Sequence, residues 1–286
     1  MRFAALLILL AMKTAPALAG ETACRLDRGR IVVTAAFGDV AGDFVLDAAS
    51  PKSKLDDTVA GMWNLGEQEA RADLRLAGVR LPGFVMQVAP LDSAGIAGVI
   101  GADALGGFVT EIRTAPCRVT LSRRAGRPWP TRLPLRVIGG AFATSAAVSD
   151  GVTSRAGWFA VATGAPGVTL TDAKLTRAPP KDADPDWPPA RLRALSLGGT
   201  VLYENIPAAI ADKAPAGLSG AIGEEAWHAL DLRLDPRRGR LELAPSLSLP
   251  FSPSCPRERG FLRAAWPIRH AKAVLAPSLR GPKCQN

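Results

Sequence analysis

Three blocks of this sequence occur twice, in the same order, and the duplication limits its folds more than any other feature. DFVLDAASPKSKL at 43–55 returns as WFAVATGAPGVTL at 158–170. LRLAGVRLPGFVMQVA at 74–89 returns as LSLGGTVLYENIPAAIA at 195–211. GIAGVIGADALGGFVTEIRTAPCRVTLS at 95–122 returns as GLSGAIGEEAWHALDLRLDPRRGRLELA at 217–244. The offset is 115 residues for the first pair and 122 for the third. The gain lies in an insertion, RAPPKDADPDWPPA at 177–190, whose proline and charge content reads as an exposed loop.

Within each copy the local pattern is that of short strands. RIVVTAAF, RVTLS and RLELA alternate or are wholly apolar, and AGV and GGT read as hairpin turns between such runs. The helical signal is confined to ADALGGF and EEAWHAL, each following an apolar-apolar-Gly unit and each with an acid near its start, where the helix dipole favours it. A length of 286 residues accommodates two bodies of about 100–150 residues each. We therefore expect a first lobe over 20–125, a connector over 126–134, a second lobe over 135–246 and a Pro-rich basic tail over 247–286.

Residues 1–19 read as an export signal. Arg2 precedes an apolar run from Phe3 to Met12, and Ala17-Leu18-Ala19 is a small-x-small cleavage site. The run is too short for a spanning helix, which needs about 20 apolar residues, and no later run is long enough either. Export places the chain in the periplasm or outside the cell, where cysteines oxidise. Four cysteines, Cys24, Cys117, Cys255 and Cys284, suggest two disulfides. The expected pairing is Cys24–Cys117 across the first lobe and Cys255–Cys284 in the tail. No cysteine has a Cys or His neighbour at ligand spacing, so neither a metal nor a cofactor is expected. The formal net charge is +9, and much of it lies in the tail (Arg257, Arg259, Arg263, Arg269, Lys272, Arg280, Lys283). That charge can attract an acidic partner or surface. Nucleic acid is not indicated, because no basic and aromatic pattern accompanies the charge.

The repeated grammar resembles the pepsin and retropepsin superfamily of aspartic peptidases over most of residues 28–244. Phe44-Val45-Leu46-Asp47 fits the apolar strand that leads into the catalytic Asp-Thr/Ser-Gly loop. Val99-Ile100-Gly101 and Ala221-Ile222-Gly223 fit the later apolar-apolar-Gly unit in both halves. The closing strands are similar to those of exported bacterial members with a retropepsin-like lobe. The resemblance implies an all-β, bilobal fold with short helices and a groove between the lobes. It also implies a mechanism in which two carboxylates, one per lobe, share a proton so that one acts as base and the other as acid.

This sequence departs from that pattern in both halves. The first keeps the acid, Asp47, but has Ala48 and Ala49 where a hydroxyl residue and a glycine belong. The second keeps Thr163 and Gly164 but has Ala162 where the second acid belongs. Asp47 is then the vestigial or sole acid, with Ser50, Thr163, Gly164 and Tyr203 as candidate binding residues. The leading expectation is an exported pseudo-peptidase that binds an extended peptide or protein partner without cutting it. A working endopeptidase using Asp47 with a stand-in acid (Asp172, Glu204 or Glu224) is the alternative. A structural or assembly factor acting through the basic tail is another. The second lobe occupies the face through which a second copy would approach, so a monomer is expected. His228 and His270 have no Ser-His-Asp ordering around them, and there is no Gly-x-Ser-x-Gly elbow.

Overall fold

The computed structural model describes residues 19–175, 190–211, 214–246 and 273–275. The expected signal segment, the 177–190 insertion, Cys255, Cys284 and His270 therefore lie outside the described residues, apart from Ala19 and the backbone of Ala190.

Each half folds by the same rule. In the first, β1 (Ala19–Asp27), β2 (Arg30–Phe37), β3 (Val40–Leu46), β4 (Lys54–Asp56), β5 (Glu69–Leu76), β6 (Val79–Ala89) and β7 (Gly98–Ile100) precede β8 (Val109–Thr114) and β9 (Cys117–Ser122). Six of these close on themselves in the order β2–β3–β7–β4–β6–β5 and back to β2. The second half repeats the ring with β11 (Ala141–Ser149), β12 (Ser154–Val161), β13 (Val168–Leu170), β14 (Ala190–Leu197), β15 (Val201–Ile210) and β16 (Gly220–Ile222). Its order is β11–β12–β16–β13–β15–β14 and back to β11.

Alternation decides which side chains fill each ring. Along β2, Ile31, Val33, Ala35 and Phe37 face the main core, while Val32 turns outward to meet Val45 and Ile96 in a small second cluster. Phe37, Phe44, Leu74 and Met86 fill the first lobe, and Phe159, Leu195, Tyr203 and Trp227 the second. The AGV turn holds Ala77 and Gly78 at positive φ, 48° and 72°, as a two-residue hairpin requires. In β7 a side chain at Gly98 would meet the Lys54 carbonyl at 2.4 Å, so only glycine lets β3 and β4 flank this strand.

The lobes share a six-stranded antiparallel sheet ordered β1–β9–β8–β17–β18–β10, where β10 is Thr131–Ile138, β17 is Leu230–Asp235 and β18 is Arg240–Pro245. The outer strands bend from it into their own lobes. Ala19–Ala23 of β1 pair with β9 and Cys24–Asp27 with β2, while Thr131–Pro134 of β10 pair with β18 and Leu135–Ile138 with β11. The last residues expected to be connector thus already belong to a strand. Every residue of β17 is buried, so its polar members need partners. Arg233 pairs with Glu111 on β8 at 2.8 Å and with Glu242 on β18 at 2.7 Å, and its guanidinium lies 4.3 Å from the Trp129 ring centroid. Cys24 and Cys117 form a disulfide joining β1 to β9.

Two of the helices are the expected ones, α2 (Ala102–Leu105) and α3 (Glu224–Trp227). A third, α1 (Asp57–Met62), was not expected. It is initiated by Asp56, whose carboxylate accepts from the amides of Thr58 and Val59. No described helix is long and apolar enough to cross a membrane. From the tail, only the backbone of β19 (Ala273–Leu275) is described, added antiparallel to Val201–Tyr203 of β15.

Candidate functional site

The loops after β3 and β12 meet between the lobes because each strand is held by a parallel partner from its own half. Asp47 N donates to Ile100 O at 2.9 Å, and Ala162 N donates to Ile222 O at 2.9 Å. The loops are also tied across the boundary. Ile31 N donates to Thr163 O at 3.0 Å, and Phe142 N donates to Ala48 O at 2.9 Å. Within each lobe, Ala102 N reaches Ser50 O and Glu224 N reaches Ala165 O, at 2.8 and 2.9 Å. All these backbone bonds come in twofold-related pairs. The side chains do not.

Thr163 is fully buried and grips the opposite loop. Its hydroxyl donates to Leu46 O at 2.8 Å and accepts from Ala48 N at 3.0 Å. The reciprocal grip has no hydroxyl to make it, because the equivalent residue is Ala48. Thr163 N turns instead to its own Val161 O, 3.2 Å away.

Asp47 Oδ1 accepts from Ala49 N at 3.0 Å and from Gly164 N at 3.3 Å. The symmetry explains the second bond. Ala49 lies two residues after Asp47, and Gly164 lies two residues after Ala162. Gly164 N is therefore the donor that a carboxylate at 162 would use. With a methyl there, buried at 4% exposure, the amide serves Asp47. Glycine at 164 is what permits the approach, since a Cβ there would sit 2.5 Å from Asp47 Cβ. Asp47 is half-buried by area but set deep between the loops, so desolvation pushes its carboxyl above the ordinary value of 3.8. The amides of Ala49 and Gly164 and the charge of Lys54 pull the other way.

Lys54 is the residue that the sequence reading missed. It lies seven positions after Asp47, and only the return of β4 alongside β7 brings its charge to bear on the carboxylate.

None of the stand-in acids hydrogen-bonds to Asp47. Asp172 is paired with Arg155 at 2.9 Å. Glu204 is exposed on β15, opposite Ala194. Glu224 opens α3, where burial raises its carboxyl while His228 lowers it. Ser50 turns its hydroxyl onto Lys52 O at 2.8 Å, within its own loop. Tyr203 is placed away from the loops. It is 1% exposed in the second-lobe core and donates its hydroxyl to Ala226 O, so it offers no binding surface. The physical reason is that Val201 and Tyr203 occupy the inward face of β15. His228 is exposed, with Nδ1 2.6 Å from Glu225 O.

No protein-family profile matches the chain, and no curated protein matches it. Among solved structures it is similar to the crystal structure of aspartic proteinase from Irpex lacteus, with a TM-score of 0.55 and 13% sequence identity. The similarity covers 80% of this chain and 98% of that one. At that identity it establishes the fold: bilobal, all-β and pepsin-like.

Proposed function

We propose that the chain is an exported aspartic-peptidase-like protein of impaired catalysis, which holds an extended peptide or protein partner between its lobes. One observation carries this reading: the position twofold-related to Asp47 is a buried methyl group, Ala162, and the amide freed by that change has gone to Asp47. Peptide hydrolysis by this fold needs one carboxylate to activate water and a second to protonate the carbonyl. A lone carboxylate can hold a water or accept from a peptide amide. It has no acid to complete the transfer, and general acid–base help is typically worth about 10²–10⁴ in rate. A bilobal fold of this kind leaves a groove between its lobes, where an extended chain can add to a strand edge by backbone pairing. The Cys24–Cys117 disulfide supports an oxidising compartment, hence the periplasm or the exterior.

The test incubates the purified protein with unfolded casein from acid to neutral pH, with and without pepstatin, beside Asp47→Ala. Uncut casein that is nonetheless retained by the immobilised protein is the expected result. Pepstatin-sensitive cleavage that disappears in Asp47→Ala would overturn the reading in favour of a working peptidase with another acid.

A further inference from the structure

Beside the Asp47 loop, a cavity of about 550 Å³ lies between the lobes, and Asp47 does not line it. Its volume is within the range of about 300–1,000 Å³ common to small-molecule sites. The walls are largely apolar: Pro51 and Ala102 from the first lobe, Val137, Phe142 and Pro236 from the second. The Gly139-Gly140 turn shuts against Pro51, with a Cβ at Gly140 falling 2.8 Å from Pro51 Cβ.

Two cations border this apolar space, one from each lobe. Lys52 comes from the loop after Asp47, and Arg237 from the β17–β18 turn. Both are exposed, and neither side chain has an ion pair or hydrogen bond among the described residues. Asp103 also lines the cavity, and its carboxylate accepts from Ser53 N at 3.0 Å and from Ser53 Oγ at 2.7 Å rather than from either cation.

The molecule contains its own control. By the offsets of the repeat, the counterparts of Lys52 and Arg237 are Gly167 and Ala115, and those of Ala102 and Asp103 are Glu224 and Glu225. The corresponding turn packs there in the same way, with a Cβ at Gly29 falling 2.7 Å from Pro166 Cβ. The fold therefore closes without cations at these positions. Their presence on one side only, unpaired at the border of a largely apolar cavity, sets the two sides of the molecule apart.

We infer that this cavity is a binding site for a carboxylate carried on a small apolar body, such as the free C-terminus of a peptide ending in apolar residues. The apolar part fills the space against Phe142 and Val137, and the carboxylate bridges Lys52 and Arg237 by charge-assisted hydrogen bonds. The site goes beyond the proposed function, because Asp47 does not line it and it binds a ligand whether or not peptide is cut.

Calorimetric titration of the full-length protein tests it with three probes: N-acetyl-Leu-Phe with a free carboxylate, the same dipeptide amidated at its C-terminus, and octanoate. The free acid is expected to bind at least about tenfold more tightly than the amide. Lys52→Ala/Arg237→Ala is expected to lose that preference with unchanged melting, because both residues are exposed. Arg71→Ala, a cation removed elsewhere on the surface, is expected to keep it. The relative affinities of dipeptide acid and octanoate assign the source as a chain terminus or a free acid. Equal binding of acid and amide, no binding of any probe, or undiminished binding by the double variant would each overturn the assignment.

Discussion

Asp47 is held by amides from both halves of the molecule, yet the desolvation it suffers between the loops outweighs them. The direction of that balance has a consequence for stability. An acid whose folded pKa is raised contributes stability that is whole below its unfolded value and is lost as pH rises through the folded one. Near and above neutrality the ionised carboxylate is therefore a cost to the fold. Asp47→Asn keeps an oxygen able to accept from Ala49 N and Gly164 N and removes the charge. Its melting temperature is expected to exceed that of the natural protein at pH 7, with the gap closing as pH falls toward 3.8 and below. Thermal melts at both ends of that range decide it, and a variant that melts lower at pH 7 would show that ionised Asp47 is net favourable.

The loops after β3 and β12 are joined at the level of elements, and one hydroxyl makes the side-chain part of the junction. Thr163→Val keeps the shape of the side chain but leaves Leu46 O and Ala48 N buried without that partner. Each orphaned group costs about 1–3 kcal/mol, so urea melts of Thr163→Val should show a loss of about 2–6 kcal/mol. Thr163→Ser, which retains the hydroxyl, should lose far less. The strands around these loops were legible in the sequence because the duplication showed their order twice and alternation assigned their faces. The asymmetry of the acids was equally legible, since Ala162 aligns with Asp47 without any structure. The redirected amide of Gly164 was not, because nothing local to ATGA says whose carboxylate the glycine serves. Helix α1 escaped because DTVAGM carries a Val and a Gly and no apolar period, leaving only its cap at Asp56 as a signal. Tyr203 was read from its hairpin turn, whereas the alternation Val201, Tyr203 already argued for the core. The cavity walls escaped altogether, since Lys52 and Arg237 border one space only once both lobes are folded.

Across the whole molecule the two lobes are joined through the six-stranded sheet, with Arg233 near its middle. Its side chain is 5% exposed and binds Glu111 of the first lobe, Glu242 of the second, and the Arg127 carbonyl of the connector. Arg233→Met would strand Glu111 without its cation and leave Glu242, a buried carboxylate, with Arg132 at 3.5 Å as its remaining ion-pair partner, and breaking a buried pair typically costs about 3–5 kcal/mol. Chemical denaturation should report it, together with broadening if the lobes begin to unfold separately. An undiminished midpoint would mean that strand pairing alone unites the halves. The same shared sheet implies something about half-molecules. A chain ending after residue 125 would present the bare rim of β8, the partner of β17, and an unsatisfied rim of that kind recruits other strands. A twin of the same fragment is the best-matched recruit, and docking by a twofold axis would set one aspartate against another. The duplicated half, freed from its altered copy, would regain the missing acid through stoichiometry.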